Sequence, residues 1–322
     1  MRNISFDYIE DELKKVEEQF EVHLITETPL IHKVAKYVIS SGGKRIRPIL
    51  LIVSSKICGY KGEEHIPLAA VIEFIHTATL LHDDVVDNAP LRRGKSSANV
   101  IFGNEASVLV GDYLFAKSFK ILSGFKDGDI IKAYSDATTL MAEGEVKELV
   151  KTADVKTIEK DYLDIIIKKT AVLFACASKI GAIIAGNKED YAMRLYEYGL
   201  NIGIAFQLMD DALDYISGEE FGKFIGNDLK EGKLTLPLIH ALEMADEKEK
   251  DIISKIIYKK KLAAKDLSTV LTLVEGYGSI EHTVLKAKEA VEKAKKNLDI
   301  FPDSIYKRGL FDIANYIIER KL

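Results

Sequence analysis

The stretch from residue 65 to residue 87 is apolar nearly all round, yet it closes on three aspartates, Asp83, Asp84 and Asp87. A segment apolar on every side is a central, buried helix. Carboxylates are rarely set among apolar neighbours unless something pairs them. The same layout returns later, where the apolar run 202–209 leads into Asp210, Asp211 and Asp214. On a helix the first and last aspartate of each cluster lie one turn apart, ~6 Å along the axis and on one face. Carboxylates so placed repel one another until a cation neutralises them. Two such pairs facing each other would hold several Mg2+ ions, and those ions would hold a diphosphate. A solvated acidic face is the plainer reading of one cluster alone. Two clusters in apolar surroundings argue against it.

Most of the remaining chain carries the same helical period. Apolar residues recur at Ile9, Leu13, Val16, Phe20 and Leu24, and long periodic segments cover 105–124, 129–150, 156–183 and 189–217. Pro29, Pro67, Pro237 and Pro302 stand where helices begin, and Gly42, Gly43, Gly59, Gly186, Gly218, Gly226 and Gly232 mark turns. Residues 269–274 are strand-like in composition, but their helical neighbours favour helix. No Pro/Ser-rich linker and no repeat interrupts the sequence, so the reading is one all-α domain over residues 1–322. A net charge of -5 argues against nucleic-acid binding. Cys58 and Cys176 lie in apolar stretches as buried thiols, which fits a cytoplasmic protein. The first nineteen residues lack the apolar core of a signal peptide, and no run is long enough to span a membrane.

Cationic groups accompany the acidic ones. Gly42-Gly43-Lys44-Arg45-Ile46-Arg47-Pro48 is a glycine turn with three cations before a helix-starting proline. Such turns offer backbone N–H groups to anions, and Lys and Arg add charge. Taken alone it is equally a surface loop. Arg92-Arg93-Gly94-Lys95 follows the first cluster beyond Pro90, and Lys168-Lys169-Thr170 lies in an apolar helix. Gly222-Lys223, Asp228 and Gly232-Lys233 follow the second cluster. Metal-type carboxylates ringed by separate cations imply two anionic ligands, one held through metal and one directly.

As an ordered set these segments are highly specific: GGKRIRP (42–48), LLHDDVVD (80–87), RRG (92–94), GDYL (111–114), AEGEV (142–146), KT (169–170), FQLMDDALDY (206–215) and GK, ND and GK.T within 222–235. With them the chain resembles the trans-isoprenyl diphosphate synthases of the polyprenyl synthetase family over nearly its whole length, most closely the long-chain octaprenyl type. The resemblance implies antiparallel helices bundled around a deep central cavity, a homodimer, and Mg2+-dependent condensation of an allylic diphosphate with isopentenyl diphosphate. Farnesyl diphosphate is the expected primer, octaprenyl diphosphate the expected product, and that product is expected to pass to a membrane as a quinone side chain or another lipid. A shorter-chain synthase is the alternative. A class I terpene cyclase fits less well, since it would lack the Gly43–Arg45 and Arg92–Arg93 cations.

Roles follow from the resemblance. Asp83, Asp84 and Asp87, with Asp210, Asp211 and Asp214, hold Mg2+ on either side of the allylic diphosphate, with Asp83, Asp87 and Asp210 foremost. Arg92, Lys169, Lys223 and Lys233 contact that diphosphate. Lys44, Arg47, His76 and Arg93 hold isopentenyl diphosphate, although a histidine in an apolar helix is more often a core residue than a ligand. Thr170 and Gln207 face the carbocation, and the departing diphosphate takes the proton. His82 orients Asp83 from behind. Ala78 and Thr79, one turn before Asp83, are small and leave room for a growing tail. Phe119, Leu122 and Tyr134 are candidates for the tunnel floor.

Overall fold

The computed structural model describes residues 6–187, 189–216, 226–259 and 262–319. Lys223, Gly218 and Gly222 lie outside them. The helices among the described residues are α1 (Glu10–His23), α2 (Pro29–Ser40), α3 (Ile46–Ile57), α4 (His65–Val86), α5 (Ala98–Phe102), α6 (Asn104–Leu122), α7 (Gly128–Lys151), α8 (Glu159–Ile166), α9 (Val172–Ile184), α10 (Asp190–Ile216), α11 (Asn227–Lys230), α12 (Leu236–Met244), α13 (Glu247–Ile257), α14 (Ala264–Gly276), α15 (Ser279–Lys296) and α16 (Ile305–Glu319). The fold is all-α, as the periodicity implies. Residues 269–274 are helical, within α14.

The chain forms two compact units, one of residues 1–138, 176–196 and 300–310, the other of 139–175, 197–299 and 311–322. In the first, α4 is central, with α1, α3 and α6 packed on it. Of its 22 residues only those near the C-terminal end and a few others reach solvent, and ten of the twelve residues of α3 are buried. Phe74 of α4 meets Phe20 of α1 at 5.4 Å between ring centres. The Tyr134 hydroxyl donates to the Leu68 carbonyl at 2.7 Å, so a buried phenol is satisfied by backbone. Gly111 lets α6 approach α4, for a Cβ there would strike the His82 ring.

In the second unit α12 packs on α15, α14, α8 and α13. Asp246 caps α13, accepting from the Lys248 and Glu249 amides, and Glu249 returns a bond to the Asp246 amide. No described helix is long and apolar enough to cross a membrane.

Two features depart from the helical reading. Leu91–Arg92 and Lys95–Ser96 form a small antiparallel hairpin, with Leu91 opposite Ser96. Its turn residues Arg93 (φ 54°) and Gly94 (φ 75°) both have positive φ, as a tight hairpin turn demands. The segment expected as one helix over 156–183 is broken by a π-turn at Ile167–Ala171, where the Val172 amide donates back to the Ile167 carbonyl.

Candidate active site

The two aspartate clusters end α4 in the first unit and lie near the end of α10 in the second. On α4, Asp83 and Asp87 are half-buried on one face, as spacing requires, while Asp84 turns inward and is 1% exposed. Arg92 reaches back from the hairpin and donates to Asp84 Oδ1 from Nε at 2.8 Å and Nη2 at 2.5 Å. Asn99 donates to the Asp84 carbonyl at 2.9 Å. Burial raises the Asp84 carboxyl above its ordinary range, and Arg92 opposes that shift.

On α10 the middle aspartate again turns inward. Asp211 is 3% exposed and accepts from the Tyr162 hydroxyl at 2.5 Å and from Gln207 Nε2 at 2.8 Å. Burial pushes its carboxyl up, against those two bonds. Thr170 donates to Gln207 Oε1 at 3.0 Å. Asp214 accepts from the backbone amides of Asn227 (3.3 Å) and Asp228 (3.1 Å), which ties α10 to α11. Asp228 is held neutral-leaning by burial and by the charges of Asp211 and Asp214.

Asp84 and Asp211, expected beside the metal with the others, each lie about 100° round their helix from the first aspartate of the cluster, which turns them toward the core. Among the described residues no three His, Cys, Asp or Glu side chains converge as an ion site by themselves. The outer aspartates Asp83, Asp87, Asp210 and Asp214 are all half-buried, Asp214 bound to the backbone amides of α11. Such oxygen donors fit Mg2+, which keeps several waters and takes the rest of its shell from one or two carboxylates and substrate phosphates.

A cavity of about 130 Å3 opens in the second unit beside Asp211, lined by Tyr162, Lys169, Thr170, Gln207, Asp228 and Lys233 among others. The π-turn that carries Lys169 and Thr170 is gripped by two glycines. A Cβ on Gly144 of α7 would stand 2.6 Å from the Lys169 amide nitrogen, and one on Gly203 of α10 would stand 2.8 Å from Ala171 Cβ. Lys169 bridges Glu145 (2.8 Å) and Glu148 (2.5 Å), and Lys233 meets Glu231 at 2.8 Å.

A second group gathers in the first unit. Burial and the charges of Arg47, Arg93, Arg92 and Arg45 hold His76 well below its ordinary value, so its ring is neutral. The Arg93 guanidinium lies against Gly43, where a Cβ would stand 3.0 Å from Nη1. Thus the glycine turn and the hairpin meet, bringing Arg47, His76 and Arg93 together. Lys44 is exposed on the same turn. Arg45 is structural: it pairs with Glu73 and Glu17 and donates to the Ile39 carbonyl. His82 faces α6, near the Val108 carbonyl (3.2 Å) and Asp112 (3.4 Å).

Of the residues proposed to set chain length, Ala78, Leu122 and Tyr134 are fully buried, and the Thr79 hydroxyl donates to the His76 carbonyl. Phe119 is 39% exposed and stands at the surface of the chain. Sequence reasoning named Asp228 without giving it a role and passed over Tyr162, Glu145 and Glu148. Glu145 lay inside the quoted AEGEV segment, whereas nothing marked Tyr162 among the apolar residues of its helix.

An all-α fold with two aspartate clusters, one inward-anchored aspartate in each, and a cavity lined by lysines and carboxylates defines the class, and comparison supplies the family. Residues 28–274 match the polyprenyl synthetase family model, and the chain belongs to that family of prenyltransferases. It is 40% identical to the octaprenyl diphosphate synthase of Escherichia coli over 298 residues, 92% of each chain. It is 38% identical to that of Haemophilus influenzae over 310 residues, 96% of this chain and 94% of the relative. The crystal structure of a polyprenyl synthase from Caulobacter crescentus, complexed with calcium and isoprenyl diphosphate, superposes with a TM-score of 0.94 at 37% identity, over 98% of this chain and 97% of the other.

Proposed function

We propose that the chain is a long-chain trans-polyprenyl diphosphate synthase that extends farnesyl diphosphate with successive isopentenyl diphosphates to octaprenyl diphosphate. The observation that carries this reading is the cavity itself. It sets two lysines for a diphosphate and two neutral polar groups, Thr170 and Gln207, beside the anchored aspartate of α10. The octaprenyl synthases of similar sequence support the long product.

Lys169, Lys233, Arg92 and Lys223 bind the allylic diphosphate. Asp83, Asp87 and Asp210 would hold Mg2+, which would supply Lewis-acid neutralisation of the diphosphate charge. Lys169 and Lys233 exchange their glutamate partners for phosphate oxygens. When the allylic C–O bond breaks, Thr170 and Gln207 offer oxygen to the cation. The double bond of isopentenyl diphosphate attacks, and the departing diphosphate removes the proton.

Lys44, Arg47, His76 and Arg93 bind isopentenyl diphosphate. Neutral His76 contributes one N–H, and the anion favours its protonation. Ala78 and Thr79 leave width for the growing tail, with Leu122 and Tyr134 as its floor.

The enzyme is read as one catalytic domain, since the family model runs from 28 to 274 through residues of both units. It acts as a cytoplasmic homodimer that hands its apolar product to a membrane. Exposed Val108 and Leu109 on α6, with Val100 and Ile101 on α5, support a partner copy.

Purified protein with Mg2+, farnesyl diphosphate and labelled isopentenyl diphosphate tests the reaction. Label should appear in apolar alcohols after dephosphorylation, and a chelator should abolish it. Label that stays in isopentenyl diphosphate while farnesyl diphosphate is consumed would point to a cyclase instead.

A further inference from the structure

Thr170 and Gln207 serve as the polar groups near the reacting carbon, but the direction of their hydrogen bonds is set one residue deeper. Tyr162 donates to Asp211 Oδ2 at 2.5 Å, Gln207 Nε2 to Asp211 Oδ1 at 2.8 Å, and Thr170 Oγ1 to Gln207 Oε1 at 3.0 Å. The polarity of this chain follows from the ionised form of Asp211. An ionised carboxylate only accepts, so in that form the phenol and the amide N–H both point at Asp211. The same network fixes which end of the Gln207 amide is which, leaving Oε1 toward Thr170. Thr170 has one hydroxyl proton, and Oε1 takes it. Only its lone pairs remain for the cavity that it lines.

The surrounding backbone leaves little else to adjust. Gly144 and Gly203 grip the π-turn from two helices, with no room for a methyl group on either side. The turn is therefore fixed in place, and the remaining freedom of Thr170 is rotation of its hydroxyl. Asp211, through Gln207, removes that freedom. Tyr162 holds Asp211 from the far side and is itself only 3% exposed.

We propose that Tyr162 is a positioning residue of the prenyl transfer: by fixing the buried Asp211 carboxylate, it makes Thr170 present an oxygen acceptor, not a proton, to the developing cation. This rests on the prenyl-transfer reading above. If the Thr170 hydroxyl turned over, its proton would face positive charge, and the interaction would become repulsive at the moment of ionisation.

The test is a double-variant cycle on the full-length protein. Tyr162→Phe removes one oxygen and opens no cavity. It should lower kcat for farnesyl diphosphate extension roughly fivefold to tenfold, the loss of about one hydrogen bond's orientation. KM for both substrates should stay within twofold, since Tyr162 is assigned contact with neither. Thr170→Val keeps the shape and removes the hydroxyl. The variant carrying both changes should be no slower than Thr170→Val alone, because Tyr162 acts through Thr170. Calorimetry with Mg2+ adds a readout without turnover. Tyr162→Phe should weaken binding of a prenyl-like diphosphate bearing a protonated amine at the cationic carbon about fivefold, and leave inorganic diphosphate within twofold.

Multiplying rate losses, or equal weakening of both ligands, would make Tyr162 merely structural and overturn the inference. A wild-type protein inactive with both substrates would instead overturn the prenyl-transfer reading, and the inference with it. Should Tyr162→Phe fail to fold, Asp211→Asn places a donor where an acceptor stood, and the same two outcomes apply to it.

Discussion

Asp84 and Asp211 hold the same place in their clusters, and the protein secures them by different means. Asp84 is matched by a charge: the Arg92 guanidinium supplies two bonds to one of its oxygens from a hairpin eight residues on. Asp211 is matched by neutral donors, a phenol and an amide on two helices. Their surroundings differ in sign. Around α4, burial and the charges of four arginines hold His76 low, whereas around α10 burial and neighbouring carboxylates push up both Asp211 (beside Asp210 and Glu148) and Asp228 (beside Asp211 and Asp214). The lesson is that a repeated Asp motif fixes where the outer carboxylates point, but leaves the chain free to choose what holds the inner one. The cation-rich side suits a substrate bound as an anion directly. The acidic side, with a lysine-lined cavity beside it, suits a diphosphate shared with metal.

The outer aspartates offer the severest way to break this comparison, because on them the two regions should behave alike. Asp83→Ala and Asp210→Ala are each expected to lower turnover by several orders of magnitude while leaving helix content by circular dichroism unchanged, since neutralising the leaving group supplies much of the barrier reduction. Near-normal turnover in either variant would show that one cluster is not part of the chemistry.

On the inner aspartates the regions should part. Arg92→Ala strips a buried carboxylate of its counter-charge and should cost about 2 kcal/mol of unfolding free energy. Tyr162→Phe removes one bond of two and should cost about 1 kcal/mol. Urea midpoints in the presence of a chelator measure both. The reverse order would mean that Asp84 is not held by charge.

The smallest effects sharpen the contrast in sign. His76 has a folded value below its unfolded one, so the stability it contributes is present above the ordinary histidine value and lost as pH falls toward the folded one. Asp228 has a folded value above its unfolded one, so its contribution is present at low pH and lost as pH rises through the folded value. His76→Gln should therefore raise the melting temperature at pH 5 but not at pH 8, and Asp228→Asn at pH 8 but not at pH 4, again with chelator. Parallel pH profiles for the two variants would remove the electrostatic distinction between the regions.

Helix positions were legible because the apolar period is strong: the segment expected over 65–87 is α4 at His65–Val86, and that over 129–150 is α7 at Gly128–Lys151. The outer aspartates were legible for the same reason, since helical spacing alone puts them on one face. The π-turn was not, because one extra residue in a helix alters the apolar pattern too little to be seen. The sign that did exist was indirect, in Gly144 and Gly203, helical glycines whose missing side chains make room for it. The hairpin was hidden by Arg93, a residue type that rarely takes the positive φ it has here. The inner aspartates' partners come from distant sequence, Tyr162 lying 49 residues before Asp211. Such pairing depends on packing, which local pattern does not encode.

The product made from farnesyl diphosphate tests the central claim most directly. Dephosphorylated products of the wild-type enzyme, sized by chromatography, should centre on eight isoprene units if the tail runs past small, buried Ala78 as proposed. Ala78→Tyr should stop elongation early, since a packed core does not yield by the width of a ring at small cost. A wild-type product of three or four units, or an Ala78→Tyr enzyme that makes the full-length product at the normal rate, would contradict the long-chain assignment or the path of the tail along α4.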